Sequence, residues 1–249
     1  QAPPADGWTP PRASRPVAVE PQGPLPARVG IAGAGRIGAQ LAWRLAAAGC
    51  RVRLRDAQPD ALATALRFVH QRSANHVREG RITPAERTAI LDRISPTTGA
   101  EGGWQHVGLA IECVAERLDV KQRVLRELEG QIAPTCVLVT TTSALPISSL
   151  AQALRQPERF LGFHVGLDLT QRPLVELVPH AHTSGECLAH ARRIATGLSL
   201  LPVVCRDVPA FFVNRVLGAY FNEAAWLLRE GMTAPALDGL MRRYGMRVG

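Results

Sequence analysis

The sequence predicts an α/β protein in which a doubly wound parallel sheet is followed by the start of an all-helical domain. Over residues 28–206, short apolar runs typical of strands alternate with segments whose apolar residues recur at helical spacing. From residue 207 to residue 249 only helical spacing remains, and this stretch is too short to form a core of its own. We therefore predict a sheet domain over 28–206 and a truncated helical domain over 207–249.

Residues 1–27 precede the sheet domain and are rich in proline, with almost no periodic apolar residues. Such a composition is typical of a linker or a disordered arm. The sequence begins with Gln1 rather than methionine. We therefore expect the chain to be a piece of a longer polypeptide, in which this arm was joined to an upstream module.

The first strand of the sheet domain is predicted at residues 29–32, where an apolar run leads directly into a glycine turn. Gly33, Gly35 and Gly38 follow in the order G-x-G-x-x-G. In a dinucleotide-binding turn the first glycine permits the tight turn, and the second lets a pyrophosphate approach the backbone. The third glycine lets the following helix pack closely on the strand.

A helix and a second strand complete this unit. Apolar residues at helical spacing over 37–48 end at Gly49, and a strand over 52–54 then leads to Asp56. Strand, glycine turn, helix, strand and acid form the βαβ unit of a Rossmann-type fold, whose helix N-terminus faces the phosphates of a dinucleotide. The alternative is an α/β domain with a tight turn and no ligand.

The rest of the sheet domain continues the alternation of strands and helices. Thr83 marks the start of one helix, because a proline follows it directly and Glu86 lies three residues after Thr83. Helices are predicted over 61–78, 84–93, 119–131, 147–154 and 184–198, and strands over 107–113, 136–140, 160–163, 174–178 and 202–205. Two more helices, over 212–230 and 234–244, belong to the predicted helical domain.

Composition argues against several classes of function. The net charge of +8 is carried almost entirely by arginine, but the arginines are spread along the chain and aromatic residues make up only 5%. This distribution argues against a nucleic-acid surface, although a polyanionic ligand would be attracted. No apolar run reaches the length of a membrane span, and no secretory signal opens the sequence. The five cysteines are scattered without C-x-x-C pairs, which predicts buried residues of a reducing, cytoplasmic protein rather than disulfides or metal ligands.

Four segments carry a resemblance to a known family. They are IECVAERLDVKQRVL (111–125), TTTSALPISSLA (140–151), GFHVGLDLTQRPLVELV (162–178) and DVPAFFVNRVL (207–217). In this order and at these spacings the chain, from about Arg28 to its end, resembles the 3-hydroxyacyl-CoA dehydrogenase family. The segments GRITPAERTAILDRISPT (80–97) and QPERFLGFH (156–164) are most similar to the dehydrogenase region of multifunctional fatty-acid oxidation α-subunits.

The resemblance implies an NAD-dependent enzyme of fatty-acid β-oxidation that converts an L-3-hydroxyacyl-CoA to the 3-oxoacyl-CoA. It also implies a dimer, or a place in a multidomain chain downstream of an enoyl-CoA hydratase module. The phrase PLVELVPH (173–180) is similar to L-gulonate 3-dehydrogenase, so a small hydroxy acid is an alternative substrate. A further alternative is a dinucleotide-binding domain whose chemistry has decayed.

The resemblance also assigns the catalytic residues. Oxidation of a 3-hydroxyl needs a base that takes the hydroxyl proton while hydride leaves for the nicotinamide. His164 matches this base, and Glu176, 12 residues further on, matches the acid that holds the imidazole in the required tautomer. Ser143 matches the serine on the substrate's 3-oxygen and the nicotinamide ribose, and Asn214 matches the asparagine near the thioester. Without the resemblance, a core histidine and a surface acid would be the favoured interpretation of His164 and Glu176. A helix cap is the alternative for Ser143, and an exposed amide is the alternative for Asn214.

The predicted cofactor contacts extend beyond the glycine turn. Asp56 would accept hydrogen bonds from the adenosine ribose and repel a 2′-phosphate, which favours NAD over NADP, although two neighbouring arginines oppose that preference. Glu116 and Lys121 match an acid and a lysine that reach the nicotinamide half, and solvated surface residues are the alternative. The full predicted set is Gly33, Gly35, Ile37, Gly38, Asp56, Ala115, Glu116, Lys121 and Ser143, without a metal ligand.

The sequence departs from the family pattern on the substrate side. Where the family reads H-F-F-N-P, this chain runs from His164 to Asp168, and Leu167 replaces the asparagine. Thr141 replaces the asparagine of N-T-S, and Ala210 replaces the glycine of P-G-F. Leucine cannot make the hydrogen bond of an amide, and an unpaired partner group would cost about 1–3 kcal/mol. We therefore expect the reaction to be slowed by ~10- to 100-fold but not abolished.

Overall fold

The structure is a computed structural model that describes residues 24–99, 103–166 and 174–246. Its strands are Arg28–Ala32 (β1), Arg51–Arg55 (β2), Ile94–Thr97 (β3), Leu109–Glu112 (β4), Val137–Thr140 (β5), Phe160–Val165 (β6), Leu174–Val178 (β7) and Leu201–Val204 (β8). Its helices are Arg36–Ala47 (α1), Pro59–Arg78 (α2), Pro84–Asp92 (α3), Leu118–Glu129 (α4), Ile147–Ala151 (α5), Gly185–Gly197 (α6), Val213–Arg229 (α7) and Ala234–Arg243 (α8).

The described strands form one eight-stranded sheet in the order β3-β2-β1-β4-β5-β6-β7-β8. Only the pairing of β6 with β7 is antiparallel; the other paired strands of the described sheet are parallel. The chain first builds outward from β1 to β3 and then returns to the other side of β1 to place β4. This reversal is the topological switch point at which doubly wound sheets bind ligands, and the predicted fold class is confirmed.

The core lies on both faces of the sheet, because successive residues of a strand point to opposite faces. Along β4, Leu109 and Ile111 join a cluster that includes side chains of α1, α2 and α6. Ala110, between them, joins a second cluster that includes side chains of α4 and α5 and the fully buried Trp104. Helices cover both faces, as the alternating sequence pattern predicts.

The edge strand β3 was not predicted from the sequence. It pairs with β2 in a parallel register in which Val52 lies opposite Ile94, and Ile94 is the one buried residue of the strand. Pro96 lies within the strand, and a proline is tolerated at an edge because no further strand needs its missing N–H group. A four-residue edge strand without an apolar run therefore carries no periodic signal. The predicted helix over 147–154 is also shorter than expected and ends at Ala151.

The helices α7 and α8 belong to a second compact unit that begins at Val213, whereas the sheet unit ends at Phe212. No residue of α7 is buried, and α8 buries only Leu237.

The cap predicted for α3 is present. The Thr83 hydroxyl accepts a hydrogen bond from the Glu86 N–H, and the Glu86 carboxylate accepts one from the Thr83 N–H. Within the described ranges, none of the helices has both the length and the apolar character needed to cross a membrane.

Candidate functional site

Most of the predicted site residues of the sheet unit follow the carboxyl ends of four neighbouring parallel strands. Gly33 follows β1, and Glu116 and Lys121 follow β4. Ser143 follows β5, and His164 lies near the end of β6. Because these strands are parallel and adjacent, their ends lie along one edge of the sheet. The fold therefore brings the glycine turn and the candidate base to the same edge.

The glycines of the turn differ in what the protein itself requires of them. Gly33 has a φ of 111°, and a Cβ there would lie 2.4 Å from the carbonyl oxygen of Cys113. A Cβ on Gly38 would lie 1.9 Å from the carbonyl oxygen of Gly33. A Cβ on Gly35 would meet no atom within 4 Å. The fold thus requires the first and third glycines. The second borders open space at the N-terminus of α1, the position at which a Rossmann-type fold receives a pyrophosphate.

Asp56 lies beside this turn, directly after β2. Its carboxylate accepts one hydrogen bond from the Ala34 N–H, at 2.7 Å, and another from the Gln58 N–H, at 2.9 Å. The preceding arginine, Arg55, pairs with Glu127 at 2.7 Å. The acid is therefore held at the position where a Rossmann-type fold receives the adenosine ribose, and the charge of Arg55 is partly neutralised by Glu127.

His164 and Glu176 contact each other directly. The His164 Nδ1 lies 2.6 Å from the Glu176 Oε2, and the antiparallel register of β6 and β7 places the two residues opposite each other. Glu176 is fully buried and His164 is 6% exposed. A carboxylate acceptor favours the tautomer in which Nδ1 carries the proton and Nε2 is left as the basic nitrogen. The 12-residue spacing in the sequence thus corresponds to a cross-strand pair.

Two residues that sequence reasoning missed also contact Glu176. The Phe212 N–H donates to the Glu176 Oε1 at 2.8 Å, and the Cys205 thiol lies 3.4 Å from the same oxygen. The ring of Phe211 lies 5.6 Å from the ring of His164, measured between centroids, and is buried. No local sequence pattern distinguishes these residues, because strand pairing and a chain turn bring them to the pair.

Lys121 is buried and is not a solvated surface residue. Its Nζ lies 2.9 and 3.2 Å from the two carboxylate oxygens of Glu112, 3.1 Å from the Val114 carbonyl oxygen and 3.3 Å from the Glu116 carboxylate. Glu112 is fully buried as well and accepts from the Thr140 hydroxyl at 2.6 Å. Burial raises the pKa of the Glu112 carboxyl, and the Lys121 ammonium and the Thr140 hydroxyl act against that increase.

Glu116 contacts both Lys121, of the ion pair with Glu112, and the turn after β5. One of its carboxylate oxygens accepts from the Thr142 hydroxyl, from the Ser143 N–H at 2.9 Å and from the Ala144 N–H at 3.2 Å. Burial raises the pKa of Glu116, but the hydrogen bond from Thr142 and the charge of Lys121 outweigh burial and hold the pKa below its usual value. The backbone of Ser143 is therefore held by a carboxylate that stays ionised.

Ser143 does not cap the helix that follows it, so that alternative is wrong. The N-cap position of α5 is Pro146, and the Asp207 carboxylate accepts from the Ile147 N–H at 2.6 Å and from the Ser148 N–H at 2.8 Å. Two of the orphan N–H groups of this helix are thus satisfied by a residue distant in the sequence.

The other predicted residues lie on further segments of the chain or outside the described ranges. Ile37 lies in the first turn of α1 and packs against the core, and Ala115 is exposed between β4 and α4. Asn214 lies in the first turn of α7 and so belongs to the helical unit. Leu167 and Asp168 fall in 167–173, outside the described residues.

Ala210, which replaces the family's glycine, has a φ of 64°. This left-handed conformation costs a residue with a Cβ about 1–2 kcal/mol, whereas glycine adopts it without strain. Because glycine also loses more backbone entropy on folding, we expect Ala210→Gly to raise the free energy of unfolding by about 0.5–1 kcal/mol in urea denaturation. Ala63→Gly within α2 is the control and should lower it by about 1 kcal/mol. Equal losses in the two variants would contradict the strain at Ala210.

Among the residues that the structure describes, no group of three or more histidine, cysteine or acidic side chains could hold a metal ion.

Two family models match the chain. The model described as 3-hydroxyacyl-CoA dehydrogenase, NAD binding domain, matches residues 28–208, and the model of the C-terminal domain matches residues 211–249. The fold is also similar to solved structures. One is FadB2 of M. tuberculosis, with 30% sequence identity and a TM-score of 0.85, over 91% of this chain and 80% of that one.

Two further solved structures are similar in fold. The (S)-3-hydroxybutyryl-CoA dehydrogenase PaaH1 of Ralstonia eutropha is 26% identical, with a TM-score of 0.83, over 90% of this chain and 80% of that one. A 3-hydroxybutyryl-CoA dehydrogenase of Escherichia coli is 31% identical, with a TM-score of 0.79, over 85% of this chain and 45% of that one.

Proposed function

The chain belongs to the 3-hydroxyacyl-CoA dehydrogenase family, and from this we propose that it oxidises an L-3-hydroxyacyl-CoA to the 3-oxoacyl-CoA with NAD. One observation carries the proposal: His164 and Glu176 form a buried pair, 2.6 Å apart, on the sheet edge where the dinucleotide turn also lies. A buried acid and imidazole at this distance form a base with a fixed tautomer, as oxidation of a hydroxyl requires.

The proton of the substrate hydroxyl is transferred to His164. With Nδ1–H donated to Glu176, Nε2 accepts the hydroxyl proton, and the ring becomes an imidazolium that the adjacent carboxylate stabilises. The hydrogen on the same carbon leaves as hydride, and the carbon–oxygen bond becomes a carbonyl. Bound NAD supplies the hydride acceptor.

The residues present fit NAD. Gly35 leaves open space beside the N-terminus of α1, so backbone N–H groups and the positive end of the helix dipole are accessible to a pyrophosphate. Asp56 accepts hydrogen bonds from the ribose hydroxyls, and its negative charge repels a 2′-phosphate. Both features lie on the β1–β2 side of the sheet, whereas the His164 and Glu176 pair lies on the β6–β7 side. An extended dinucleotide spans this separation along the sheet edge.

Ser143 positions the substrate oxygen in this proposal. Glu116 accepts hydrogen bonds from the Ser143 and Ala144 N–H groups, and its position is fixed in turn by Lys121. Four acceptor atoms lie within 3.3 Å of the Lys121 Nζ, which has three protons to donate. We therefore assign Lys121 to the support of Glu112 and Glu116, rather than to a direct contact with the nicotinamide half.

The proposal is tested by following NADH oxidation by absorbance with acetoacetyl-CoA as the substrate of the full-length protein. Oxidation is expected with acetoacetyl-CoA and not with acetoacetate, because the second compound lacks the coenzyme A group. If NADH binds but neither compound is reduced, the same assay with L-gulonate and NAD tests the small hydroxy acid alternative. Failure of every substrate while NADH still binds would leave a dinucleotide-binding domain with decayed chemistry.

A further inference from the structure

The carboxylate of Glu176 has two oxygens, and the pair with His164 uses only one of them. Oε2 contacts His164, whereas Oε1 accepts from the Phe212 N–H at 2.8 Å and faces the Cys205 thiol at 3.4 Å. Glu176 is fully buried, so hydrogen-bond donors to its oxygens stabilise the carboxylate there. Two donors converge on the oxygen that the proposed base does not use.

The pairing of β7 with β8 places the Cys205 thiol beside Glu176. In the parallel register of β7 and β8, Glu176 lies opposite Val203, and the Cys205 N–H bonds to the Leu177 carbonyl oxygen at 2.9 Å. Cys205 is two residues beyond Val203, so its side chain points to the same face of the sheet as that of Glu176. The pKa of the thiol is raised to about 11, mainly by burial and to a smaller extent by the contact with Glu176. The thiol therefore stays protonated and able to donate at neutral pH.

The conformation of the chain segment 207–212 places the Phe212 N–H beside Glu176. Two contacts hold this segment. The Asp207 carboxylate accepts hydrogen bonds from the first N–H groups of α5, and the Ala210 N–H donates a hydrogen bond to the Ala144 carbonyl oxygen at 3.3 Å. Ala210 and Phe211 both have a positive φ, of 64° and 51°. A residue with a Cβ adopts this conformation only where the surrounding contacts impose it. The segment is therefore bent so that the next N–H group meets Glu176.

We propose that the Cys205 thiol and the Phe212 N–H form an oxyanion clamp on Glu176 that positions its other oxygen on His164 Nδ1. Cys205 is thus a positioning residue that acts through Glu176 and does not touch the substrate. The clamp keeps the carboxylate from rotating, so that Nδ1 retains its proton and Nε2 remains the basic nitrogen. The inference rests on the proposed function, since it assigns to the clamp the orientation of that base.

Cys205→Ala and Cys205→Ser test the clamp, because alanine removes the donor and serine keeps one. We expect kcat to fall about tenfold in Cys205→Ala and to stay within about threefold of the wild-type value in Cys205→Ser. The dissociation constant for NADH is expected to be unchanged in both variants. Cys187→Ala is the matched control, because Cys187 is a buried cysteine on α6, and its kcat should equal that of the wild-type protein.

A second readout does not depend on turnover. A long-range proton–nitrogen correlation NMR spectrum of protein with isotope-labelled histidine reports the tautomer of each ring, and His164→Ala identifies the signals of His164. We expect the Nδ1–H tautomer in the wild-type protein and in Cys205→Ser, and a mixture of both tautomers in Cys205→Ala. An unchanged tautomer in Cys205→Ala would overturn the clamp. Absence of wild-type turnover with a tautomer that does depend on Cys205 would instead overturn only the proposed function.

Discussion

His164→Ala is expected to lower kcat for NADH oxidation with acetoacetyl-CoA by about 10³- to 10⁴-fold, while the dissociation constant for NADH stays within about twofold. The physical reason is that alanine removes the nitrogen that exchanges the proton with the substrate oxygen. The glycine turn and Asp56, which bind the cofactor in the proposed function, follow β1 and β2 and are separated from β6 by β4 and β5. Turnover is measured by absorbance and cofactor binding by NADH fluorescence.

A histidine that is equally buried but lies outside the pair provides the control. His180 is 8% exposed, and its Nε2 lies 3.0 Å from the Pro157 carbonyl oxygen. His180→Ala should leave kcat per folded molecule unchanged. If His164→Ala retained turnover, His164 would not be the base. If it lost NADH binding and turnover to the same extent, the variant would be misfolded, and His164→Gln, which keeps a polar side chain of similar size, would replace it.

Lys121→Met is expected to lower the free energy of unfolding by about 3–5 kcal/mol, because it leaves the fully buried carboxylate of Glu112 without its cation. Methionine fills a similar volume but cannot donate a hydrogen bond. Adding Glu112→Gln to this variant removes the unpaired charge, so the double variant should recover most of the loss. Urea denaturation of the two single variants and the double variant completes the cycle and gives the coupling energy directly.

The same variant is expected to become more stable as the pH falls. Burial raises the pKa of Glu112 even beside Lys121, and loss of the ammonium removes a charge that acts against this increase. Between the usual pKa of glutamate and the raised value, the folded variant binds a proton that the unfolded chain does not bind, so its free energy of unfolding falls as pH rises. A loss of stability that is the same at every pH would contradict an unpaired Glu112 carboxylate as its cause.

Arg117→Met provides the control for the buried pair. Arg117 contacts Asp119 at 2.8 Å, close to the 2.9 Å between Lys121 and Glu112, but the side chains of Arg117 and Asp119 are 69% and 67% exposed. Water screens such a pair, so the stability of Arg117→Met should not differ measurably from that of the wild-type protein. Equal losses in Arg117→Met and Lys121→Met would mean that burial does not determine the strength of the Lys121 pair.

The class of the fold could be predicted because it depends on local patterns. Apolar runs and helical spacing along the chain, together with the order of the glycines, are properties of neighbouring residues, and they identified the sheet, most of its strands and the dinucleotide turn. The strand β3 was missed because a short edge strand buries one side chain, Ile94, and contains Pro96. Pairing with β2, and not its own composition, makes this segment a strand.

The site could be predicted only in part. The resemblance supplied His164 and Glu176 as candidates, and the register of β6 with β7 then showed that they touch. Lys121 was consistent with a solvated surface position or a cofactor contact, and only its burial beside Glu112 revealed an internal ion pair. Cys205 and the Phe212 N–H carried no signal at all in the sequence.

The sequence by itself thus determined the class of the fold and the position of the glycine turn, and the resemblance named the candidate base. The tertiary structure alone decided which groups surround the base: Glu176 is contacted from residues 12, 29 and 36 positions away along the chain. The physical reason is that periodicity reports which face of an element is buried, whereas contacts between elements depend on strand register and on turns that no local pattern encodes.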